Sequence, residues 1–253
     1  MRFTRVAGLA GLGFVLILIV ANVFLFAAGF PPPSESPSIE ELTKVFAAER
    51  DTLRLASAFL PASWLLAIVF AAGAYGVQGD RGRGEPWALV GLVGILLQCA
   101  TFAGVEATRI ALSSAATYDA GSVPGLWGLY NGLFGFNQVF LATALVGLSI
   151  SGLRAGVIPR WHGNAGLVGA VLLFSSASTS PYGSEGANPL SLAGLVGWLL
   201  WLVWIVAWSI TLLRDAGDRS GGAGAFVQGD RGRRGLAGSA GAAFEVLGQQ
   251  RQE

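Results

Sequence analysis

Six stretches of this chain are each long and apolar enough to cross a lipid bilayer, and arginines flank them on alternating sides. A crossing helix needs about 20 mostly apolar residues to span roughly 30 Å of hydrocarbon. Residues 6–29, 55–77, 87–112, 126–153, 163–180 and 190–213 fit that requirement, the fifth being the shortest and richest in serine. The apolar run in 6–29 far exceeds the about 7–15 residues of a signal-peptide core, so it reads as a retained helix. The expected fold class is all-α, a polytopic transmembrane helical bundle of six spans. A Gly/Ala/Arg-rich tail at 214–253 is expected to be disordered and cytoplasmic.

Composition agrees. Charged residues make up 12% of the chain, about half the share in an ordinary soluble domain. The chain is 53% hydrophobic with 37 glycines, and small residues let membrane helices approach closely. A net charge of +1 gives no electrostatic footprint for nucleic acid. Cys99 stands alone and His162 is the only histidine. An internal disulfide, a thiolate or His-rich metal centre and a bis-histidine haem lack the residues they need, and with one histidine a Ser-His-Asp triad inside the bilayer is not expected. No enzyme activity, no cofactor and no metal are expected.

Arginine placement sets orientation through the positive-inside rule. Arg2 and Arg5 precede the first span, Arg81 and Arg83 follow the second, Arg154 and Arg160 the fourth, and Arg214 and Arg219 the sixth. With six crossings all four groups share one side, so the chain is N-in and C-in in the cytoplasmic (plasma) membrane. The connections at 113–125 and 181–189 carry no Lys or Arg. Only the first outer loop departs from the rule, with Lys44, Arg50 and Arg54 offset by Glu35, Glu40, Glu41, Glu49 and Asp51.

That loop is the sizeable outer segment. Its start, Pro31 to Pro37, is stiff and non-helical. Ser38 followed by Glu41 fits a capping box, so a helix over 38–54 should begin there. Ile39, Leu42, Val45 and Phe46 recur at helical spacing and form one apolar face, suited to a surface helix or to a lid over an outward-facing cavity. The heptapeptide at 77–83, Val-Gln-Gly-Asp-Arg-Gly-Arg, recurs word for word at 227–233. It reads either as a repeated basic patch for anionic lipid or as coincidence in Gly/Arg-rich sequence.

Polar residues inside spans are costly and mark candidate sites. At 1.5 Å per residue, Glu106 and Arg109 fall near the outer interface, three apart on one helical face, where they can pair. Arg54 and Asn131 fall at similar depth. Arg54, Glu106, Arg109 and Asn131 are thus the candidate ligand-binding cluster, for an anionic or zwitterionic small ligand, or else an ion pair that closes the bundle. Gln98, Asn137 and Gln138 fall near the midplane, where amides on neighbouring helices are expected to hydrogen-bond as glue or to line a polar pathway. Trp198, Trp201, Trp204 and Trp208 share one broad face of the last span, for core packing, lipid contact or an aromatic groove. Gly-Leu-Val-Gly occurs at 91–94, 166–169 and 194–197; Ala165 and Ala193 extend the last two copies to small-xxx-small motifs, which predict close helix crossings.

Two stretches also resemble a known group. Tyr130-Asn131-Gly132-Leu133-Phe134-Gly135-Phe136 opens a long span that ends in Ser151-Gly152-Leu153, then Ile158-Pro159-Arg160-Trp161 and a glycine-led helix. With the Arg54-Leu55 entry into the second span, this is similar to the membrane-protein family of domain-of-unknown-function 4386. The resemblance implies a shared topology and carries no activity. The functional expectation is a non-enzymatic multi-pass membrane protein, structural or small-ligand binding, partnered by the lipid bilayer and a small ligand or lipid. The alternative is a small-solute or lipid transporter with a central polar pathway.

Overall fold

A computed structural model describes residues 3–30, 37–79, 85–179 and 192–217. The expected tail disorder beyond 217, the 227–233 repeat with most of its first copy, the segment 31–36 and the 181–189 connection lie outside the described residues. The chain divides into two compact units, Met1–Leu213 and Arg214–Glu253; apart from the last residues of the final helix, the first holds the features below.

Every described element is helical: α1 (Phe3–Ala27), α2 (Ile39–Ala48), α3 (Arg50–Gly79), α4 (Glu85–Tyr118), α5 (Val123–Arg154), α6 (Arg160–Thr179) and α7 (Leu192–Gly217), with a single 3₁₀ turn at Ala120–Ser122. Five of them, α1, α3, α4, α5 and α7, are long and apolar enough to cross a membrane. The sixth expected span, α6, falls short of that measure. Its start carries Arg160, His162 and Asn164 and its end Ser175, Ser176, Ser178 and Thr179, leaving only the middle strongly apolar.

The long helices are apolar on all faces, and the outward faces remain exposed in the fold. Leu16 and Val23 on α1, Leu65 on α3, Val171 and Phe174 on α6 and Val203 on α7 all point outward. Water does not tolerate a belt of that size on a folded protein; a bilayer is its natural solvent. The chain is an integral membrane protein.

Glycines set the crossings. On the α4–α5 seam a Cβ on Gly147 would collide with the backbone of Gly91 and with the Trp87 carbonyl, while Gly94 abuts Ala144 and Gly104 abuts Leu133. On α6 and α7, Gly166 meets Ser149 and Trp204, Gly169 lies near Leu200, and Gly197 lies against Leu173. All three Gly-Leu-Val-Gly copies therefore sit at close crossings, as their composition predicts. The tryptophan stripe packs inward: Trp201, Trp204 and Trp208 are buried, and Trp201 meets Phe14 edge-on at 5.2 Å. Trp204 donates its indole N–H to Ser149 Oγ at 3.1 Å, and its carbonyl faces His162 Nε2 at 3.0 Å.

The outer-loop helix is shorter than its expected extent. Ser38 caps α2 by the reciprocal pair of hydrogen bonds with Glu41 that its sequence announced. The helix ends at Ala48, and α3 begins at Arg50 after the single non-helical residue Glu49. Leu42 and Phe46 of α2 bury into a second apolar cluster with Leu53, Val105, Leu112, Ala115, Val123 and Tyr130. This cluster closes the α2 end of the first unit. Pro61 lies inside α3, so the Ser57 carbonyl lacks the backbone N–H that would normally bond to it.

Candidate functional site

The site is built on α3 and α4. Glu106 and Arg109 stand three residues apart on α4, one turn of one face, and their side chains pair directly through Oε2 and Nη2. Both are enclosed, at 5% and 3% side-chain exposure, so the pair is shut away from solvent. Ser57 of α3 joins it from across the seam. Its hydroxyl donates to Glu106 Oε2 at 3.1 Å and accepts from Arg109 Nη2 at 3.2 Å. It also lies 3.0 Å from the Leu53 carbonyl, a second acceptor for the same proton. Ser57 thus ties both charges to the turn of α3 that Pro61 loosens.

The arrangement is incomplete on the guanidinium side. Arg109 Nε and Ser113 Oγ, one turn farther along α4, are enclosed and have no hydrogen-bond partner. Toward the end of the seam, Arg50 donates to the Tyr118 hydroxyl at 3.2 Å and lies over its ring at 5.3 Å, yet its Nε is enclosed and unpaired as well. Tyr130 of α5 is buried within the electrostatic reach of both Arg109 and Glu106. It belongs to an aromatic ladder, stacked on Trp127 at 5.2 Å and on Phe134 at 6.3 Å, with Phe30 tilted against it at 5.9 Å.

Of the four residues expected to cluster, Glu106 and Arg109 are buried while Arg54 and Asn131 are exposed. Glu106 and Arg109 pair as expected. Arg54 does not join them: it is 53% exposed and faces Asp51 at 3.9 Å. The reason is rotational, since the buried stripe of α3 runs through Leu53, Ala56 and Leu60 and leaves position 54 about 100° away. Asn131 has the expected depth, because the register that sets Gly104 beside Leu133 puts it level with Glu106, but it is exposed on α5. Ser57, Ser113, Tyr130 and Arg50 are not singled out by sequence reasoning. Ser57 has a signal, four residues before a proline in the middle of a span.

The midplane amides are all buried, Gln98 and Asn137 at 4% and Gln138 at 9% exposure, but no bond joins Gln98 to either of the others. The α4–α5 register explains this. With Gly94 beside Ala144 and Gly104 beside Leu133, Gln98 lies level with residues 139–140, two to three residues (about 3–4.5 Å) along the axis from Asn137. Gln98 Oε1 takes the Cys99 thiol at 3.7 Å instead, and Asn137 Oδ1 is enclosed and unpaired. Gln138 turns toward Gly194 and Ser176 at the α6–α7 crossing.

No family model, no curated protein and no solved structure matches the chain.

Proposed function

We propose that this is a non-enzymatic multi-pass protein of the plasma membrane that binds a small ligand at its outer end. Six crossings, α6 included, put both termini in the cytoplasm and α2 outside, following the arginine pattern of the sequence. The likeness to domain-of-unknown-function family 4386 belongs to the same reading and bears on topology alone.

One observation carries the binding role: the Glu106–Arg109 pair is enclosed while Arg109 Nε and Ser113 Oγ beside it lack partners. A charge pair whose only task is to close a bundle is expected to use its donors within the protein, since each enclosed unpaired group costs about 1–3 kcal/mol. Donors left open at a water-facing end of a membrane protein are suited to an incoming group. The transport reading draws on the unpaired Asn137 Oδ1 among Gln98 and Gln138. Against it, the midplane amides sit among closely packed helices, next to crossings where glycine backbones touch.

Ligand screening by thermal unfolding of purified protein, repeated on Glu106→Gln and Arg109→Gln, tests the assignment. Any ligand of this site must change affinity in at least one variant; equal affinity in both rejects the site.

A further inference from the structure

Resting on that binding site, we infer that its ligand is an oxyanion, a carboxylate or phosphate group that enters the α3–α4 seam beside α2. The inference comes from the chemistry of what is left over. Among the described residues, the enclosed side-chain atoms without partners on the Arg50–Ser57 turns of α3 and the facing Glu106–Tyr118 turns of α4 are Arg109 Nε, Arg50 Nε and Ser113 Oγ. Two of these can only donate a hydrogen bond, and the third can donate. None is a carboxylate oxygen.

The positions form a path. Ser57 fixes the level of Arg109 on α3, and Arg50, seven residues earlier, is about 10 Å nearer the end of the seam, against Tyr118 of α4. Ser113 lies between Arg109 and Tyr118 on α4. A group moving inward meets Arg50 first, then the Ser113 hydroxyl, then Arg109. The charges agree with this order. Arg109 is paired with Glu106, whereas Arg50 at the mouth holds the Tyr118 ring and hydroxyl rather than a carboxylate, with Glu49 and Asp51 beside it in the chain. A guanidinium offers N–H donors in a planar fork that matches carboxylate and phosphate oxygens. With Nη2 held by Glu106 and Ser57, Nε is an enclosed N–H of Arg109 left for an incoming oxygen.

α2 borders the entrance. Its Leu42 and Phe46 share one apolar cluster with Val105 and Leu112 of α4, which flank Glu106 and Arg109 in sequence. The Arg109 Nε and Ser113 Oγ atoms are enclosed in this state, so entry requires the short α2 to shift. The same oxyanion chemistry is found on a lipid headgroup and on a free anion in water.

The experiment uses full-length protein in a maltoside detergent, which contains no phosphate, and follows thermal unfolding. The probes are inorganic phosphate, acetate, phosphatidylglycerol and, as the opposite charge, tetramethylammonium. The expected result is a saturable rise of the midpoint with an oxyanion probe. Phosphate or acetate acting alone marks a water-borne ligand, and phosphatidylglycerol acting alone marks a lipid headgroup. Ser113→Ala, a change small enough to keep the fold, and Arg109→Lys, which keeps the charge and loses Nε, should each weaken that binding about tenfold. Glu106→Gln should tighten it by releasing the guanidinium. Oxyanion binding that is the same in all three variants overturns the inference. So does stabilisation by tetramethylammonium that Glu106→Gln abolishes, although that result leaves a small-ligand site at the pair. No response to any probe overturns both the inference and the binding role beneath it.

Discussion

Glu106 and Arg109 are tolerable inside the protein only as a pair. Taking either charge away strands the other in a place that water does not reach, a loss of about 3–5 kcal/mol for a buried pair. Arg54, exposed and 3.9 Å from an exposed Asp51, belongs to the class of surface pairs worth about 0–1 kcal/mol. Reversible unfolding in detergent should therefore show large losses for Glu106→Gln and Arg109→Gln singly and almost none for Arg54→Gln. Comparable losses at all three positions would mean that Arg54 shares the cluster after all. The sequence discloses the pair because helical spacing and depth need only counting. It does not disclose the rotation of α3. In a soluble helix the apolar stripe marks the inward face, but a span is apolar all round and carries no such mark. Arg54 is misplaced by counting for that reason, and Ser57, three residues on and facing inward, is passed over.

The elements differ in how they are held. Among the described residues α2 is the strongly amphipathic helix, so its capping box and its Leu42–Phe46 face are both legible in advance, and both are present. Its end is not legible, because Glu49 is an ordinary helix former that breaks the chain only through local backbone geometry. The Ser38 backbone and hydroxyl bonds hold the Glu41 carboxyl below its ordinary value of 4.5. Stabilisation from this ionised cap is complete above that ordinary value and disappears as pH falls through the lower folded one. A spin label at Lys44→Cys should become more mobile on acidification across that window, and Glu41→Gln should remove the pH dependence from it. The long helices rest on close approach instead. Gly147→Ala drives a methyl into the Gly91 backbone, which cannot give way like a flexible side chain, and should cost about 1–3 kcal/mol or more. Gly76→Ala faces open space and should be neutral or stabilising by about 0.5–1 kcal/mol from helix propensity. Equal effects at 76 and 147 would show that the α4–α5 seam is looser than its glycine contacts imply.

At the scale of the molecule, the apolar belts and five crossing-length helices establish residence in a membrane, and they are legible because hydropathy alone encodes them. The number of crossings is harder to read, since α6 has polar ends and an apolar middle, and length and hydropathy do not decide its placement. Its neighbours argue for a crossing: Gly163 and Gly166 pack on α5, and Gly169 lies against α7. If α6 crosses, the chain has six spans and both termini are cytoplasmic; if it lies at the interface, there are five and the termini part. The binding site needs less: an N-in first span that follows the arginine pattern sets α2, Arg50 and the Glu106–Arg109 pair at the outer face whether or not α6 crosses. Paired compartment reporters fused at the two ends, together with impermeant thiol labelling of Lys44→Cys in whole cells, decide it. The account predicts cytoplasmic signals from both fusions and labelling of position 44 from outside. Termini on opposite faces, or a position 44 that labels only after the cells are opened, would contradict it.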